Sequence, residues 1–232
     1  MIQASQQQIR VDWIGDERVP VVTIDSFVSD PEAVCAYARA LDYAPMPGQY
    51  YPGVRAEPPE GQNPYLDITF PIVSQVLKEF FGCRNYARIF RSLFSLATTP
   101  VGELEPVQRL PHHDTVFENR FATIHYLCGP EFGGTAFFRH RSTGFETLTE
   151  DRYDEYVAKL DEEVSIHGLG APAFITGNTP IFDHIATFDA AFNRAIVFRG
   201  NTLHSGAISS QLALPADPAT GRLTVVNFIV AE

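Results

Sequence analysis

From about Tyr86 to the C-terminus, the sequence breaks into short runs rich in Val, Ile, Phe and Thr, set apart by Gly, Pro and Asn. β-Branched and aromatic side chains suit a pleated, half-buried backbone, and turn residues at this frequency leave little room for long helices. Strands are expected over 87–97, 121–128, 135–140, 172–176, 195–199 and 223–230. Many short strands joined by turns point to an α+β, mainly β chain built on a sandwich or jelly-roll core. One helix interrupts the series, with Tyr153, Tyr156, Val157 and Leu160 on one face.

The first third is mixed. Residues 20–24 suggest a short strand, and Asp30-Pro31 supplies an N-cap and a first-turn proline. Val34, Ala38 and Leu41 follow at helical spacing, and 45–64 is rich in turn residues. Pro71 is expected to open a second helix, with Ile72, Val73, Val76, Leu77, Phe80 and Phe81 as its apolar face and Gly82 as its stop. The N-terminal helices should cover one outer face of the strand core. There is no internal repeat, low-complexity block or long linker, so one domain is expected over 1–232. In it, 1–85 forms a helical and mixed cover and 86–232 the core. Eighteen Phe and nine Tyr provide the apolar area for that core.

Seventeen basic against 28 acidic residues give a net charge of −11. A field of that sign repels phosphate backbones and anionic lipid, so neither a nucleic acid nor a membrane is an expected partner. The three cysteines, Cys35, Cys83 and Cys128, are odd in number and lack CxxC spacing, which suits a reducing compartment. Residues 1–10 are polar and Gln-rich, without the apolar centre of a signal peptide. No apolar run approaches the roughly 20 residues of a membrane helix. The expected location is the cytoplasm.

The most informative local feature is Leu110-Pro111-His112-His113-Asp114. In an extended segment, residues two apart share a face, so His112 and Asp114 point together while His113 points away. One imidazole and one carboxylate make two corners of a metal site. His204, after the strand expected at 195–199, is the candidate for the third. Two histidines and one carboxylate on one face leave open positions, the donor set of non-haem Fe(II) oxygen chemistry. Taken alone, each piece has an ordinary explanation: HxD recurs by chance in surface loops, and a single histidine is more often hydrogen-bonded than metal-bound. Asp183-His184 makes a poor chelate, because neighbours in a strand face opposite ways. Three readings stand: a metal-dependent oxygenase, a cupin-like metal-binding barrel, and a β-sandwich interaction module with structural histidines.

Further segments carry a family resemblance. Arg120, Thr123, Tyr126 and Leu127, followed by Gly133-Gly134-Thr135-Ala136-Phe137 just after the HxD, resemble the pattern of prolyl-4-hydroxylase-like Fe(II)/2-oxoglutarate-dependent dioxygenases. Gly221-Arg222-Leu223-Thr224 resembles the Arg-x-Ser/Thr element of that superfamily. The likeness runs from about Phe94 to Ile229, and more loosely to the N-terminus through Ile24-Asp25-Ser26-Phe27. The chain is also similar to an uncharacterised bacterial subfamily bearing Tyr-Pro-Gly-x-Arg, here Tyr51–Arg55, and Gly-Gly-Thr-Ala-Phe-x-Arg-His-Arg, here 133–141.

The resemblance implies a double-stranded β-helix fold, iron on His112, Asp114 and His204, and 2-oxoglutarate as co-substrate. Arg222 would hold its distal carboxylate, with Thr224 adding a hydroxyl two residues along, and Tyr126 would contact the same molecule. A planar guanidinium grips a carboxylate through two parallel hydrogen bonds, so the role assigned to Arg222 is chemically sound. Related halogenases replace the metal-binding carboxylate with a small residue, so Asp114 implies hydroxylation with O2 instead of halogenation. The spacing of 18 residues from His204 to Arg222 is longer than in the prolyl hydroxylases, with Pro215, Asp217 and Pro218 reading as an inserted loop. Tyr51, Arg55, Arg139 and Arg141 are candidates for contacting a small-molecule or peptide substrate. The alternative for Arg139 and Arg141 is to balance nearby acidic charge.

Overall fold

The computed structural model describes residues 7–48, 50–59 and 61–232. The opening residues 1–6, part of the Gln-rich start, and Gln49 and Glu60 of the turn-rich stretch lie outside the described residues. The chain forms two antiparallel sheets with helices outside them. In order these are β1 (Gln8–Ile14), β2 (Val19–Asp25), α1 (Pro31–Arg39), β3 (Gly53–Ala56), α2 (Pro64–Phe80) and β4 (Ala87–Ala97). After a short α3 (Pro106–Arg109) come β5 (Arg120–Tyr126), β6 (Gly134–His140), α4 (Glu150–His167), β7 (Phe182–Asp189), β8 (Arg194–Arg199), β9 (His204–Ala207) and β10 (Arg222–Ala231).

The larger sheet has the order β1-β2-β8-β5-β10-β4-β3, and the smaller β7-β6-β9. From β4 onward the chain crosses repeatedly between the two. β4, β5, β8 and β10 lie in the larger sheet, while β6, β7 and β9 lie in the smaller. Alternation within the strands explains how both faces are filled. In β8, Ile196 and Phe198 join Ala122, Tyr126, Phe137 and Phe188 between the sheets. Ala195 and Val197 face the other way, into a cluster with Val34 and Ala38 of α1 and Val73, Val76 and Leu77 of α2. Phe138 and Phe182 of the smaller sheet meet Tyr156 of α4 on its outer side. The result is helix, sheet, sheet, helix, with the inner layer available for a site.

The helix starts follow local chemistry. Asp30 accepts a hydrogen bond from Ala33 N at 3.0 Å, capping α1, and Pro31 needs no partner at the first position. The second helix corrects one expectation: it begins at Pro64, and Pro71 lies inside it. Pro71 is exposed, on the side of the helix away from the core, and Val73, Val76 and Leu77 still pack into it. Residues 172–176 form no strand. Their apolar side chains are used for packing instead, Phe174 against Ala97, Leu104 and Ile208. The 1–85 segment contributes three strands, β1 to β3, to the edges of the larger sheet as well as its two helices. No helix among the described residues is long and apolar enough to cross a membrane.

Candidate metal centre and cavity

His112 and His204 face each other through an isolated antiparallel bridge. Each backbone N–H donates to the other's carbonyl at 2.8 Å, extending the smaller sheet by one residue beyond β9. Residues directly paired this way project side by side, and the two imidazole centroids are 4.4 Å apart. Asp114 is fixed by its own backbone N–H, which donates to Gly200 O at 2.7 Å. The ligand atoms of His112, Asp114 and His204 all lie within 4.8 Å of one another. Asp114 Oδ1 is 4.0 Å from His112 Nε2, and Oδ2 is 3.9 Å from His204 Nε2. Three donors from two segments, 112–114 and the start of β9, therefore surround one point, a spacing one small cation would bridge.

The surroundings prepare these groups. His204 Nδ1 lies 2.8 Å from Thr202 O. A proton donated there leaves the Nε2 lone pair directed at the centre. Phe198 meets the His204 ring edge-on at 4.8 Å and fixes its plane. The protein packed around the cavity, reinforced by the positive potential of His204, His113 and Arg55, holds the His112 imidazole below its ordinary pKa, although 55% of its side chain stays accessible from the cavity. That keeps it neutral and able to coordinate. Burial pushes the Asp114 carboxyl up, while His204, Arg55 and His113 oppose the shift. A cation at the centre would favour the ionised form. His113 turns away as alternation requires, with Nδ1 2.9 Å from Thr115 O and its ring edge on Tyr153.

The triad lies on the wall of a cavity of about 640 Å³ that penetrates between the sheets. Arg222 lines the same cavity at the start of β10 and is 6% exposed. Its Nε donates to Phe132 O at 3.0 Å and its Nη2 to Gly134 O at 2.9 Å. Among the described residues no carboxylate lies within 4.0 Å of its guanidinium. A buried guanidinium without a counter-ion is costly, so the arrangement favours an anionic occupant. The residues between β9 and β10 fold back compactly: Ile208, Leu212 and Leu214 pack with Phe174, and Gly221 N donates to Asp217 O at 2.7 Å. The longer spacing before Arg222 is absorbed there.

The remaining candidates separate into two groups. Tyr51, Arg55 and Thr224 line the cavity. Tyr126 does not reach it; it is fully buried one side chain behind, with its hydroxyl 2.7 Å from that of Thr135, which does line it. Burial raises the Tyr126 phenol to about 12. Arg139 lies away from the cavity, in ion pairs with Asp16 and Glu146, and Arg141 pairs with Asp183 at 2.7 Å. These two offset local acidic charge, the alternative the sequence allowed. No local motif marks the cavity's other walls. Tyr153, Tyr156, Val157 and Leu160 of α4 read as a packing face, and they also line the cavity, as do Val226 and Phe228 of β10. A second hollow of about 530 Å³ lies between β1 and β7. Of the charged side chains lining it, Arg10 pairs with Asp12 and Arg194 with Asp25, and Asp189 lies beside Arg194.

Solved structures share this architecture. SnoN, the non-haem alpha-ketoglutarate-dependent epimerase from nogalamycin biosynthesis, is 13% identical with a TM-score of 0.53, over 92% of this chain and 78% of that one. HygX from Streptomyces hygroscopicus, solved with nickel, 2-oxoglutarate and hygromycin B bound, is 12% identical with a TM-score of 0.54, over 92% and 83%. The chain thus shares its fold with SnoN and HygX. No curated protein matches the sequence. Over residues 5–229 the chain matches the family of unknown function DUF6445, and it belongs to that family.

Proposed function

We propose that this chain is an Fe(II)- and 2-oxoglutarate-dependent oxygenase that hydroxylates a small-molecule or peptide substrate. One observation carries the reading: a converged His112–Asp114–His204 triad and a buried, carboxylate-free Arg222 border the same cavity. The crossing of β4 to β10 between two sheets supports a double-stranded β-helix, whose open end would hold the site. Together the chain forms one domain in this reading.

His112 and His204 would bind the iron as neutral imidazoles through Nε2, and Asp114 through a carboxylate oxygen. Iron and 2-oxoglutarate supply oxidation by O2, coupled to release of succinate and CO2. Arg222 would grip the distal carboxylate of 2-oxoglutarate, with Thr224 beside it. Its two bonds to backbone carbonyls hold the fork rigid, so little side-chain freedom is lost on binding. The apolar face of α4 would exclude water from the reacting centre. Asp114 fills the corner that a halide would need, which favours hydroxylation. Free Cys35, Cys83 and Cys128 suit a reducing compartment such as the cytoplasm.

Anaerobic addition of Fe(II) and 2-oxoglutarate to the purified protein tests this. A visible metal-to-ligand charge-transfer band is expected, lost in His204→Ala. Stoichiometric iron binding without the band would remove 2-oxoglutarate from the account. Failure of the wild type to bind iron would remove the whole reading.

A further inference from the structure

Arg55 is a second arginine in the cavity wall; among the described residues no carboxylate lies within 4.0 Å of its guanidinium, and Asp114 attracts it only from farther off. Its backbone is fixed from both sides. It pairs with Ser95 of β4, and it exchanges hydrogen bonds with Ala44 at 2.9 and 3.0 Å. Val54 and Ala56 pack into the outer cluster, which turns Arg55 to the inner face. The register continues across the sheet, Arg55 to Ser95, Ser95 to Thr224 and Thr224 to Tyr126. Arg55 and Thr224 therefore sit in one row on the floor of the cavity. The guanidinium carbon lies 4.0 Å over the centre of the Tyr51 ring, which covers one face of the fork. Its Nε is buried and has no hydrogen-bond acceptor among the described residues.

Charge balance separates the two arginines' roles. Histidines aside, the charged side chains lining the cavity are Asp114, Arg55 and Arg222. A divalent cation, these three groups and a dianionic 2-oxoglutarate leave one positive charge over. In a cavity of low polarity, that surplus is best cancelled by a single anion. At about 640 Å³ the cavity is mid-range for drug-sized ligands (roughly 300–1,000 Å³), so it has room for a second molecule. Leu110, Tyr153, Val157, Leu160 and Phe228 make much of the remaining lining apolar. Resting on the oxygenase reading above, we propose that Arg55, stacked on Tyr51, binds a carboxylate of the primary substrate, which is a monocarboxylic acid with an apolar body. The cation–π contact orients the fork, and the N–H groups of its free edge donate to the two carboxylate oxygens.

Calorimetry on the apoprotein tests the assignment without turnover. The probes are 3-phenylpropionate, cinnamate and hexanoate, each against its primary amide, with 2-oxoglutarate titrated separately. At least one acid is expected to bind, with its amide weaker by about 10-fold or more, the scale of a charge-assisted pair. Arg55→Met should remove that preference and leave 2-oxoglutarate affinity and the charge-transfer band in place, while Arg222→Met should do the reverse. Arg55→Lys keeps the charge but loses the fork, and gives the same contrast if Arg55→Met does not fold. The proposal is overturned if no acid binds more tightly than its amide. It is also overturned if Arg55→Met weakens 2-oxoglutarate as much as the acid, which would assign Arg55 to the co-substrate. A wild type lacking the charge-transfer band would instead strike at the oxygenase reading, and the acid-against-amide contrast would still be readable.

Discussion

His112 and His204, 92 residues apart in sequence by their numbering, exchange two backbone hydrogen bonds of 2.8 Å each, and this bridge alone brings their imidazoles to 4.4 Å. The chelate is thus set by main-chain pairing before any ion arrives. A site prepared in this way loses little conformational freedom on binding, in contrast to ligands carried on free loops.

His204→Ala should therefore leave the fold intact and abolish tight metal binding. Losing an outer partner of a ligand already costs roughly 10–100-fold in affinity, so removal of the ligand itself should exceed that. Anaerobic Fe(II) titration followed by equilibrium dialysis measures it, and an unchanged affinity would remove His204 from the centre.

Substitution of Arg222 should separate co-substrate from metal. Arg222→Met loses a fork held by Phe132 O and Gly134 O, and 2-oxoglutarate affinity is expected to fall about 10- to 100-fold, as for a buried charge-assisted pair. Fe(II) affinity should stay within about 3-fold, since the triad contains no atom of Arg222. Titrating 2-oxoglutarate against the charge-transfer band reads the first effect, and Fe(II) dialysis the second.

Acid sensitivity should trace in part to His125. It is fully buried between Phe27 and Tyr65, and burial depresses its pKa to about 3. Between the ordinary value of about 6.5 and 3, the unfolded chain takes up a proton that the native state refuses. Its contribution is thus fully present above about 6.5 and is lost as the pH falls towards 3, costing about 2 kcal/mol between pH 7 and 5. His125→Phe should flatten this limb. Asn193 Oδ1 keeps a donor in Val28 N, so the substitution strands no acceptor there. Urea unfolding of both proteins at pH 7 and 5 gives the comparison, and equal losses would clear His125 of the effect.

Gly133→Ala should weaken both stability and the metal centre. Gly133 has φ +78°, and a Cβ there would collide with Ala207 O of β9, the strand that begins at His204. A strained backbone of this kind costs on the order of 1–3 kcal/mol. The expected result is a lower thermal midpoint together with weaker Fe(II) binding. A lower midpoint with unchanged metal affinity would show that β9 absorbs the strain without moving His204.

Much of this architecture is legible from strand chemistry. The span expected at 87–97 coincides with β4, and 195–199 and 223–230 fall within one residue of β8 and β10 at each end. β8 is buried on both faces from Ala195 to Phe198 and carries a continuous apolar run, whereas β4 is buried only over its second half, 92–97. β7 escapes notice because Asp183, His184, Thr187 and Asp189 interrupt its apolar residues in a half-exposed strand. β3 is only four residues long and sits among turns, so its pairing with β4 is decided by tertiary contact. The metal candidates were readable because alternation and an HxD spacing are local facts. The convergence of His204, the row joining Arg55 to Thr224 and the cavity wall on α4 depend on register between distant strands. Arg139 and Arg141 show the limit of a local basic cluster, since charge in sequence says nothing about which acids lie opposite.

The walls of the cavity are held in different ways. The ligands and both arginines stand on paired or hydrogen-bonded backbone, whereas α4 is an 18-residue helix with a single buried residue, Tyr156. Replacement of Tyr153, Val157 or Leu160 would reshape the chamber without disturbing a single sheet hydrogen bond. Under the proposed function, α4 is therefore a wall whose replacement changes substrate preference while the triad and both arginines keep their backbone supports.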